Sequence, residues 1–358
     1  MSAPPSPKPL ADVPLDAVDV RPHLRRDPWP SKLLRRGLAM PALFLGTLLW
    51  WALAPVVLPV LLVLDLVQRR PLLWCRFYVM IGTILLGHVW GIGLLGLGWL
   101  LCGGGLAWRR YNRWALWSES VWAAWNARVM ARVYAITYDI EGSEVLKDGP
   151  TILVMRHVSI NDTILPISLV TSAHGVRLRI VLKHELLYVP IVDVIGHTIP
   201  FGFVRRSSSD PSRELATVRA LAGDLHPRES IMIFPEGTRF SAARRAQLIA
   251  RMRDKDPALA AIAEELTHVL PLRFGGVFAL MDAVPHADLV FCAHTGYERT
   301  VRLADFVAGG LYRAVVKVKF WRVAASTIPV EPEARMKFFQ DEWRKVNAWV
   351  ATHQAARE

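Results

Sequence analysis

Two charge-free apolar stretches, residues 38–64 and 77–108, constrain this chain more than any other feature. Each exceeds the ~20 residues that a helix needs to cross a bilayer. Between them lies only "DLVQRRPLLWCR", too short to fold by itself. A membrane helical hairpin over residues 38–108 is the simplest structure for this pattern. Pro41, Pro55 and Pro59 interrupt the first stretch, and interior prolines kink helices, so a re-entrant hairpin is the alternative.

The flanks carry the rest of the membrane signal. Residues 1–37 are rich in proline and arginine and read as a cytoplasmic arm. More basic residues flank the hairpin than lie in its loop, so both ends fall on the cytoplasmic side. The expected location is a membrane, with the globular domain on its cytoplasmic face (the inner membrane in a bacterium). In "WRRYNRWALWSESVWAAWNARVMARVYA", Trp114, Trp117, Val121 and Trp125 share a helical face. Residues 109–134 therefore read as an interfacial helix, and a helix packed on the core is the other reading. The net charge of +12 calls for an anionic partner. With 53% hydrophobic residues beside it, a lipid surface fits better than nucleic acid. Cys75, Cys102 and Cys292 are scattered and support neither a disulfide framework nor a zinc site.

From about residue 135 the texture changes. Short apolar runs such as "TILVM", "LRIVL" and "SIMIF" alternate with helical patterns, which means an α/β domain over residues 135–330. Residues 331–358 read as a closing amphipathic helix.

Three places in this domain carry chemistry. In "TILVMRHVSINDTILP", His157 ends a strand and Asp162 enters the next helix. A carboxylate there can fix the imidazole tautomer and leave the other ring nitrogen as a base. An ordinary helix cap would explain Asp162 equally well. In "FPEGTRF", Glu236, Gly237, Thr238 and Arg239 follow the strand "SIMIF", at the strand end where open α/β sheets bind ligands. In "GFVRRSSSD", Arg205 and Arg206 precede a helix start, a suitable place for an anion or for a solvated turn.

Taken in order, these blocks resemble the glycerolipid acyltransferases, the group of 1-acylglycerol-3-phosphate acyltransferases. "RHVSIND" is similar to N-H-x-x-x-x-D, "FVRR" to F-[IV]-x-R with Phe203 and Arg206, and Phe234–Arg239 to F-P-E-G-T-R in full. "HVLPLR" resembles the fourth block with Pro271, and "LKHELLYVP" the K-x-E-L segment with Lys183. Arg156 departs from the usual asparagine, and Asp193 and Pro200 stand where glycine is common.

The resemblance implies a mixed sheet flanked by helices, and acyl transfer from a thioester to the sn-2 hydroxyl of 1-acylglycerol 3-phosphate. His157 would be the general base and Asp162 its orienter. Arg206 and Arg239 would hold the phosphate, with Lys183, Phe203, Glu236, Gly237 and Thr238 in the substrate pocket. Partners would be membrane lipid, a lysophospholipid acceptor, and acyl-CoA or acyl carrier protein as donor, with no cofactor or metal. Another lysophospholipid or glycerol 3-phosphate is the alternative acceptor. A non-catalytic basic protein that binds anionic lipid is the alternative of another class. A serine hydrolase lacks its G-x-S-x-G, and "HELLY" lacks the second histidine of a zincin.

Overall fold

The structure is a computed structural model, and it describes residues 27–205 and 211–355. Most of the expected arm, residues 1–26, lies outside the described residues, as does Arg206.

The first apolar stretch is two helices, α1 (Trp29–Ala52) and α2 (Ala54–Val67). They break at Leu53, two residues before Pro55 in the first turn of α2, where a missing N–H is tolerated. The second stretch is α3 (Leu73–Leu101), followed by α4 (Trp108–Tyr134). Helices α1 and α3 are long and apolar enough to cross a membrane. Many side chains of α1 and α2 are exposed, among them Leu45, Leu48, Val56 and Val67, and no element among the described residues covers that surface.

The interfacial reading of residues 109–134 is corrected. Helix α4 lies between α3 and the globular domain, and its tryptophans fill notches that α3 glycines leave. A Cβ at Gly98 would lie 2.0 Å from Trp114, one at Gly87 2.5 Å from Trp125, and one at Gly91 3.0 Å from Trp122. Ala115, Ala123 and Ala124 of the same helix are fully buried, and Ala115 and Ala123 join the core cluster of the domain. Small residues on one helix and large ones on the other make a close helix pair, and the same periodicity serves a membrane interface equally well.

Polar contacts also fix the apolar helices to one another and to the domain. Asp65, fully buried, accepts from the amides of Trp74 and Cys75 at 3.1 Å each and so caps α3. Arg76 donates to the Val133 carbonyl and lies 5.0 Å from the Tyr312 ring. Arg35 and Arg36 of α1 both pair with Asp193, Arg36 at 2.6 Å. Asp193, one of the departures from the family pattern, is thus the anchor for α1.

The domain continues through β1 (Thr137–Glu141), β2 (Thr151–Met155), the short α5 (Ile164–Pro166) and its π-helical extension Ile167–Ser172, and β3 (Arg177–Lys183). Next come α6 (Pro190–Ile195), β4 (Phe201–Val204), α7 (Pro211–Ala222) and β5 (Glu229–Ile233). Then follow α8 (Ala242–Arg253), α9 (Pro257–Glu265), α10 (Phe274–Ala283), β6 (Asp288–Thr295), α11 (Leu303–Val307), β7 (Val315–Val323) and α12 (Pro332–Ala355).

The strands form one mixed sheet in the order β1-β7-β6-β2-β5-β3-β4, antiparallel only between β6 and β7. Strand β2 lies centrally with every residue buried, as its unbroken apolar run requires. Its side chains alternate between two cores. Leu153 and Met155 face the layer of α4, α5 and α6; Ile152 and Val154 face α7, α10 and α12. Because β2, β3, β4, β5 and β6 run parallel, their carboxyl ends meet along one edge.

Candidate active site

That edge gathers the sequence motifs. Strand β2 delivers His157, and the 3-10 turn Ile160–Thr163 delivers Asp162. His157 Nδ1 and Asp162 Oδ2 are 3.0 Å apart. The same oxygen accepts from the amides of Val158 and Ser159 at 2.5 and 2.8 Å, and Ser159 Oγ accepts in turn from the Asn161 amide. Asp162 is therefore both a helix cap and the partner of the imidazole. With Nδ1 occupied, Nε2 is the nitrogen left for base chemistry. Burial would raise the Asp162 carboxyl, but His294 and the His157 hydrogen bond outweigh it and hold it below its ordinary value. The Phe234 ring stacks on His157 at 4.2 Å and fixes the imidazole plane.

The motif after β5 divides. Glu236, expected in the substrate pocket, is not among the residues that line the cavity beside Phe234. It is fully buried, and its two oxygens accept from the amides of His157 at 2.7 Å and Leu270 at 2.8 Å. Burial pushes its carboxyl up, to about 8, against those donors and Arg156. Glu236 thus ties three segments together behind the base. Gly237 faces outward with φ +66°, and a Cβ there would meet Arg273 Cδ at 2.9 Å. Thr238 is half-buried. Arg239 is exposed and donates to the Val301 carbonyl at 2.9 Å.

Beside Phe234 opens a cavity of about 400 Å3. Apolar side chains such as Leu215 and Val218 form its walls, and Lys183, Arg205 and Arg273 supply three cationic groups. Gly237, Gly275 and Gly276 keep part of the lining free of side chains. Lys183 thus reaches this cavity. Phe203 does not: it is buried in the core, where a Cβ at Gly196 would touch its ring at 2.7 Å. Arg239 is not among the lining residues either.

Sequence reasoning passed over Arg273, although it stands two residues beyond Pro271 in a block already singled out. It also left Arg156 as an unexplained departure. That guanidinium is completely buried; it donates to the carbonyls of His268 and His294 and pairs with Glu298 at 2.6 Å. Burial alone would raise the Glu298 carboxyl, but Arg156 holds it down to about 2. Arg156 is a structural hub joining β2 to the residues after β6.

Residues 137–291 match the family model described as Acyltransferase. The chain is similar in structure to the crystal structure of the 1-acyl-sn-glycerophosphate (LPA) acyltransferase PlsC from Thermotoga maritima, with a TM-score of 0.51 at 16% identity. That likeness covers 79% of this chain and 96% of the other. No curated protein matches by sequence.

Proposed function

We propose, for a chain whose residues 137–291 belong to the acyltransferase family, that it is a membrane-bound glycerolipid acyltransferase acting on 1-acylglycerol 3-phosphate. It takes a fatty acyl chain from a thioester, acyl-CoA or acyl carrier protein, and makes phosphatidic acid. One observation carries this reading: the His157–Asp162 pair stands beside an amphipathic cavity with three cations on its lining. The structurally similar Thermotoga maritima protein is named for the same acceptor, which supports the reading.

His157 Nε2 takes the proton of the sn-2 hydroxyl, and Asp162 stabilises the imidazolium that forms. The alkoxide attacks the thioester carbonyl, and the tetrahedral intermediate collapses with loss of the thiolate. The imidazolium returns its proton to that sulfur, which balances the reaction without a covalent enzyme intermediate. Lys183, Arg205 and Arg273 hold the acceptor phosphate by charge-assisted hydrogen bonds. The apolar walls take the adjoining hydrocarbon. The exposed leucines and valines of α1 and α2 keep the site at the lipid surface.

The test is transfer by purified full-length protein in detergent, with both donors and a panel of acceptors, and mass analysis of the products. Phosphatidic acid together with free thiol is the expected outcome. A product only from glycerol 3-phosphate, or from a lysophospholipid with a larger headgroup, reassigns the acceptor. No thiol release with any acceptor overturns the enzymatic reading.

A further inference from the structure

The two oxygens of Asp162 have unequal surroundings. Oδ2 accepts three hydrogen bonds. Oδ1 is buried and has no hydrogen-bond partner, a costly state for a carboxylate oxygen. A polar atom does face it: Nε2 of His294, 3.8 Å away.

His294 comes from the end of β6, the strand beside β2, and is completely buried. Its Nε2 donates to the Arg156 carbonyl at 2.9 Å, so that nitrogen carries the hydrogen. This carbonyl belongs to the peptide whose N–H is that of His157, and Glu236 accepts from that N–H at 2.7 Å. The peptide on which the base is mounted is therefore gripped from both sides. Arg156 returns the bond by donating to the His294 carbonyl at 2.7 Å.

Resting on the assignment of His157 as base, we propose that His294 is a positioning residue for acyl transfer. Its Nε2–H locks the Arg156–His157 peptide and directs positive potential at Asp162 Oδ1, and so sets the pH at which the His157–Asp162 pair becomes competent.

The charged and titratable neighbours of this pair are few. Arg156 is neutralised by Glu298. Burial pushes the carboxyl of Glu236, the thiol of Cys292 and the phenol of Tyr297 upward, which favours their uncharged forms. Burial also pushes His294 down, which favours its uncharged form, against the pull of Asp162. The acid limb of activity then reports the His157–Asp162 pair. Removing the His294 N–H makes the potential there more negative, favours the imidazolium and moves the acid limb to higher pH.

The test compares pH profiles of kcat/KM for the full-length protein, His294→Leu and His294→Gln, with His157→Ala as reference. His294→Leu should shift the acid limb up by about 0.5 to 1 pH unit. His294→Gln keeps an N–H donor and should hold the limb near that of the native protein. A purely structural role predicts lower stability without a limb shift. An unmoved limb in His294→Leu, or equal shifts in both variants, overturns the proposal. Should His294→Leu fail to fold, 15N-histidine NMR of the native protein decides. The His294 Nε2–H resonance, assigned by its loss in His294→Gln, must respond at the His157 titration midpoint, and a resonance indifferent to that midpoint contradicts the proposal. Full activity in His157→Ala would instead refute the underlying base assignment, so the two failures are distinguishable.

Discussion

Single residues here act through very short lists of partners, which makes their substitution informative. Asp162→Asn leaves the cap partly served but deprives His157 of its orienting charge, so turnover should fall at least about 10²-fold with modest loss of stability. Loss of stability with turnover intact would mean that Asp162 is only a cap. Arg273→Ala removes a cation from the cavity and should raise the acceptor KM, consistent with about 1.5–3 kcal/mol for a charge-assisted contact. Arg239→Ala should change it far less, because Arg239 is exposed and bonded to Val301; the reverse order would return the phosphate to Arg239. Glu298 gives a pH prediction. Its carboxyl is held at about 2, against an ordinary 4.5, by Arg156. A depressed carboxylate contributes stability that is complete above about pH 4.5 and is lost as the pH falls towards about 2. Glu298→Gln should lower stability at neutral pH, by up to about 3–5 kcal/mol because Arg156 stays buried without its counter-charge, and should flatten the acid loss. Parallel thermal-melt curves of the two proteins from pH 7 to pH 3 would contradict this.

At the scale of elements, how much was legible in the sequence depended on whether a signal was local. His157 and Asp162 lie within one strand-to-turn segment, so five positions of spacing carried their geometry. His294 and Arg273 are brought to the same edge by strands that run parallel from β2 to β6; nothing near His294 in the chain announces it, whereas Arg273 stands at the end of a block already singled out. The third block gave the position of Glu236 but not its direction, and it turns inward to bind two amides while Gly237 faces the cavity. The tryptophan stripe of α4 was visible, yet periodicity cannot say whether lipid or another helix covers it. The glycines of α3 hold the answer, since Gly87, Gly91 and Gly98 each receive a tryptophan. Gly98→Val should consequently force α3 away from α4. Greater protease sensitivity of residues 101–108, with a lower melting temperature, is the expected result, and an unchanged melting curve would mean that the seam contributes little.

On the scale of the whole molecule, the apolar helices and the globular domain are one packed body. The first turns of α3 send Arg76 to Val133 of α4 and to Tyr312 of the domain, while α1 pairs with Asp193 on the same domain. The start of α1 and the start of α3 thus both touch the domain that carries the site. A membrane-impermeant thiol reagent should label Gln68→Cys from the same side as Lys255→Cys in a background without native cysteines; labelling from opposite sides would require these contacts to break in the bilayer. The sheet and its flanking helices were readable from the alternation of apolar runs and helical patterns, but the lie of α1 and α2 along the domain depends on ion pairs and caps between distant residues. The central claim remains that this body aligns a lipid hydroxyl with a thioester under one imidazole. Its most direct measurement is mass-resolved acyl transfer to 1-acylglycerol 3-phosphate by native protein and by folded His157→Ala, with released thiol counted in parallel. Native protein should yield phosphatidic acid and thiol in equal amounts, and His157→Ala should lose both by at least about 10²-fold. Equal product from the two proteins would contradict the account.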